Sequence, residues 1–71
     1  MKLFLLFRTD KVDYDQYDSA VVAAGNKAQA RYLPVGSHGW TKDVSTIKVE
    51  YLGEAKEGTK SGVICASYNG G

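Results

Sequence analysis

An α+β domain is predicted by this sequence: two layers, a four-stranded mixed or antiparallel sheet with one short helix, in the order β-β-α-β-β. Three observations carry it. Lys2 to Arg8 is apolar on both faces (Leu3, Leu5, Phe7 against Phe4, Leu6), the pattern of a central strand. Thr46 to Leu52 alternates, with Ile47, Val49 and Tyr51 on one side and Lys48 and Glu50 on the other, the pattern of a half-buried strand. Only one stretch carries helix signals: Asn26 is a good N-cap, Gln29 lies three residues on, and Pro34 stops the run. The chain has 71 residues, room for one domain spanning 1–71.

The first strand is followed by residues 9–18, where four aspartates stand against one lysine, a local charge of −3 that predicts a solvated loop. Ser19 to Ala24 is expected to form a short small-residue strand ended by Gly25. The helix should run from Asn26 to about Leu33, with a thin apolar face of Ala28, Ala30, Tyr32 and Leu33. Val35 to Ser45 has no usable period and predicts an eleven-residue loop around Trp40. After the alternating strand, Gly53 is expected to end it and Glu54 to Ser61 to form a polar turn. Gly62 to Tyr68 is the last strand and Asn69-Gly70-Gly71 a tail. A strand, a helix and a strand in succession favour a right-handed crossover that places the second and third strands parallel.

The consequence is a shortage of cover. A helix of about two turns shelters one face of a sheet, yet the first strand is apolar on both. The Trp40 loop, a second copy in a homodimer, or a binding partner are the three candidates for the second face. The length argues the same way, since a chain this short buries only about 60% of the surface its unfolded form exposes.

Composition is ordinary for a globular protein, at 44% hydrophobic and 24% charged, and the formal net charge of +1 argues against a polyelectrolyte role with nucleic acid. The single Cys65 makes no intramolecular disulfide, and one cysteine with one histidine does not build a structural zinc site. A reducing compartment is the simplest inference. The apolar run Leu3 to Phe7 is too short for an export signal or a membrane span, so a cytoplasmic protein with no membrane partner is expected. Asp10, Asp13, Asp15 and Asp18 have hard oxygen donors, but the loop lacks the glycine and glutamate of a calcium loop, so neither metal nor cofactor is expected. His38 and Cys65 lie in different elements without a third orienting group, and a strand cysteine is ordinarily a small buried hydrophobe, so no catalytic residue is assigned.

Binding chemistry is better represented. Tyr14 and Tyr17 among aspartates make an acidic, aromatic patch suited to arginine-rich surfaces, and Trp40 either plugs the core or anchors a partner. The expected contact residues are Tyr14, Tyr17, Asp18 and Trp40, with Lys42 as a rim charge. Two other roles are open. Lys48 with Tyr51 and Tyr68 on a sheet can stack single-stranded nucleic acid or a nucleotide. The terminal Gly70-Gly71, with a β-grasp-like order of elements, is similar to ubiquitin-like and sulfur-carrier proteins.

Tyr17-Asp18-Ser19-Ala20-Val21-Val22-Ala23-Ala24, then a short Ala-Arg helix and proline, Gly53-Glu54-Ala55, and Gly62-Val63-Ile64-Cys65-Ala66-Ser67-Tyr68-Asn69 together resemble a group of small bacteriophage and prophage proteins. This chain departs from the group at Gly25-Asn26-Lys27-Ala28-Gln29, where the group carries glutamates. The broader pattern is similar to small phage inhibitors of host defence, including some anti-CRISPR proteins. The resemblance implies a non-enzymatic, stoichiometric binder of a host protein or protein–nucleic-acid complex, in the host cytoplasm.

Overall fold

A computed structural model of the chain describes residues 1–12, 14–36 and 39–69. Its elements are β1 (Lys2–Arg8), β2 (Gln16–Ala24), α1 (Lys27–Arg31), a 3₁₀ turn (Val44–Thr46), β3 (Ile47–Glu54) and β4 (Gly62–Asn69). The strands form one sheet in the order β3-β1-β2-β4, and each neighbouring pair is antiparallel. The α+β class, the four strands and the antiparallel alternative are as expected, whereas the parallel pairing of the second and third strands and the two-layer layout are corrected. β2 and β3 do run in the same direction, because both oppose β1, but β1 lies between them and no parallel pair forms. Five helical residues do not amount to a second layer.

Local chemistry explains most of the boundaries. Asn26 accepts the N–H of Gln29 at 2.9 Å, and the Gln29 amide oxygen accepts the N–H of Gly25 at 3.0 Å, one residue before the position expected of a capping box. The helix ends at Arg31, short of Leu33, with Tyr32 as its C-cap. Asp43 caps the 3₁₀ turn, accepting the N–H and the hydroxyl of Ser45, so the Trp40 loop ends in ordered structure. β3 continues through Gly53 because that residue takes φ 148°, open to glycine, while Leu52 bulges out of register between the Leu3–Gly53 and Phe4–Tyr51 pairs. The acidic segment is shorter than expected, since β2 begins at Gln16.

The core lies on one face only. Phe4, Leu6, Ala20, Val22, Ala24 and Ile47 of the strands pack with Ala30 and Val35, and Tyr17, Leu33, Trp40, Val44 and Val49 close its margins. Alternation turns Leu3, Leu5 and Phe7 to the other face beside Val21 and Ala23 of β2, with Lys48 and Glu50 of β3 at the rim. The Trp40 loop packs on the helix side, so among the described residues no segment covers this second face. No helix among the described residues is long and apolar enough to cross a membrane.

Candidate functional site

The site begins where β1 ends. Arg8 has a side chain only 4% exposed, and a buried guanidinium must find acceptors for its planar fork of donors. It forms a bidentate pair with Asp10, 2.8 Å on each arm, and donates further to Gln16 Oε1 and to the carbonyls of Lys11, Tyr17 and Gly39. The guanidinium also lies 6.0 Å from the centre of the Trp40 ring. One residue thus ties the acidic loop, the start of β2 and the Trp40 loop together. The Arg8 hydrogen bonds hold the Asp10 carboxyl below the usual carboxylate range. Gly39 completes the junction: at φ 87° its carbonyl accepts the Tyr17 N–H, and a side chain there would meet the Asp15 carbonyl at 3.2 Å.

The expected contact residues gather at this end of the sheet in two groups. Tyr14 is exposed beside Asp15, whose N–H bonds the Asn69 carbonyl, and Tyr17 stacks edge-on against Tyr68 of β4 at 5.0 Å. Asp18 is an extra residue between the Tyr17–Tyr68 and Ser19–Ser67 pairs, and it accepts the Ser19 hydroxyl. Desolvation, with Asp15 nearby, raises the Tyr68 phenol above its ordinary value. Trp40 and exposed Lys42 lie on the helix side, beside a recess shared with Arg31 and Val44. Trp40 is half-buried against the core, and its buried indole N–H has no partner among the described residues.

Apart from Tyr68 in the stacking alternative, the sequence assigns β4 no contact role, and it is the most open element. Val63, Ile64 and Tyr68 are 39%, 53% and 49% exposed, and Cys65 is exposed where a buried thiol was expected. α1 packs over β1, β2 and β3 and leaves β4 bare. The legible signal was charge: Gly-Val-Ile-Cys-Ala-Ser-Tyr-Asn has none, while each of the other three strands has at least one.

Other chemistry is not assembled. Lys48 and Tyr51 point to opposite faces, so they do not share a stacking platform, and Tyr51 donates to Glu54 at 2.8 Å. No group of three His, Cys, Asp or Glu side chains comes together among the described residues. Asp13, His38, Gly70 and Gly71 lie outside the described residues. Comparison of the chain with protein-family models, curated proteins and solved structures finds no match.

Proposed function

We propose that this chain is a non-enzymatic, phage-type binding protein that acts in the host cytoplasm by stoichiometric occupation of a host macromolecule, with β4 as the edge that receives it. The observation that carries the reading is the eight-residue edge strand, uncharged from Gly62 to Asn69 and exposed on both faces. An edge strand ordinarily carries charge, proline, a bulge or cover that blocks pairing; β4 has neither charge nor proline, and its own irregularity is a bulge at Ile64, between the Val21–Cys65 and Val22–Val63 pairs. An extended segment of the partner adds to it through backbone hydrogen bonds, and its side chains meet Val63, Ile64 and Tyr68. Asp15, Asp18 and Tyr14 at the far end favour a basic residue there. The assignment to phage proteins rests on the sequence resemblance.

The test is affinity capture from a bacterial host with the wild-type chain, Ile64→Lys, and Leu5→Lys on the other face. One partner is expected at a fixed stoichiometry with wild type and Leu5→Lys, and at least tenfold less with Ile64→Lys, whose melting temperature should be unchanged. Equal recovery by Ile64→Lys, or no stoichiometric partner for wild type, overturns the reading.

A further inference from the structure

We infer that the uncovered sheet face is a homodimer interface, on which a second copy packs face to face about a two-fold axis running across the strands. Leu3, Leu5 and Phe7 of β1 and Val21 of β2 remain half-exposed on this face, and a shallow depression lies between Leu5, Val21 and Cys65. The extent suits a weak association. Four strands about 4.8 Å apart and seven residues long at about 3.4 Å each cover roughly 450 Å² in projection. Two such faces present about 900 Å², below the roughly 1,200 Å² at which stable specific interfaces begin and in the range of a reversible dimer.

Charge selects the occupant and its register. On this face the only charges of β3 are Lys48, level with Phe7, and Glu50, level with Leu5. A two-fold axis across the strands midway between those levels lays β3 over its symmetry mate, running the opposite way. Lys48 then faces the second copy's Glu50, Glu50 faces its Lys48, and Phe7 packs on Leu5 at the centre. Sliding the axis to the Leu5 level sets Glu50 against its own mate. Turning it parallel to the strands lays β3 over β4, where the two charges meet no counterpart. The patch is therefore complementary to itself in one arrangement, the requirement for an isologous interface. Both β4 edges stay free on one side of this dimer, so the inference concerns a surface separate from the one proposed for the partner.

Sedimentation velocity of the full chain from about 1 to 200 µM tests it. Wild type is expected to show a concentration-dependent monomer–dimer equilibrium. Lys48→Glu and Glu50→Lys each replace two opposite-charge pairs with like-charge pairs and should weaken the dimer about tenfold. The double exchange Lys48→Glu with Glu50→Lys restores the pairs and should return the dissociation constant to within about threefold of wild type. Circular dichroism verifies that each variant is folded, and since both positions are exposed the singles should fold. A chain that stays monomeric throughout, leaving the face to another partner, overturns the inference. So does failure of the double exchange to restore the dimer, or loss of the dimer in Ile64→Lys, which would move the contact to β4.

Discussion

The two edges of the sheet solve the same problem differently. β3 carries Lys48, Glu50 and Glu54, lies beneath α1, and has Arg31 donating to the carbonyls of Val44 and Ile47 at its entry. β4 carries no charge, lies beyond the reach of the helix, and keeps Val63, Ile64 and Tyr68 in solvent. Charge and cover of the kind β3 has block the pairing of an edge, and an edge without them stays open to it. The difference teaches that a short helix and the Trp40 loop cover one face because the core draws on β1, β2 and β3 and leaves β4 out.

The comparison can be broken by mutation, beginning with the largest effect. Ile47→Ala on β3, at 2% exposure, should cost about 3–4 kcal/mol in denaturant unfolding. A cost as low as that of an exposed β4 position would show the two edges to be equivalent. Arg8→Lys replaces a planar fork by a point charge and leaves several backbone acceptors without a donor, so about 2 kcal/mol should be lost.

Asp10→Asn sharpens the comparison through pH, with a loss of about 1 kcal/mol at neutral pH. Because Arg8 lowers the folded-state carboxyl below its unfolded value of about 3.9, the pair stabilises fully above that pH. The stability drains away as the pH falls from there through the folded-state value. Acid titration of the wild type should show this decline, and Asp10→Asn should lack that component. Smallest of all, Ile64→Ala on β4 should change stability by less than about 0.5 kcal/mol. A larger value would mean that β4 is packed by something in the monomer after all.

Much of this was legible in the residues themselves. The both-sided apolar character of Leu3 to Phe7 foretold a central strand with a second face to cover, and the Asn26 signal placed the helix start. What escaped was relational. Strand order depends on which backbone edges meet, and alternation in β3 is the same beside β1 as beside β2, so the intervening β1 left no mark in the pattern. Arg8 looked like the charged end of a strand, because three of its acceptor residues come from segments that only folding gathers: Gln16, Tyr17 and Gly39. The exposure of β4 left its mark in the uncharged run Gly62 to Asn69, and the helix is shorter than expected by two residues, Tyr32 and Leu33.

β3 and β4 follow one another in the chain yet occupy opposite borders, joined by residues 55–61 running past the ends of β1 and β2. No hairpin can zip them together, so β4 must find β2 from a distance, across a sequence separation like that of the β1–β3 pairing. Until it docks, the flank of β2 bearing Val21 and Val22 stays unzipped. During that interval the same flank can accept the β4 of a neighbouring chain in place of its own, the route to a strand-exchanged dimer.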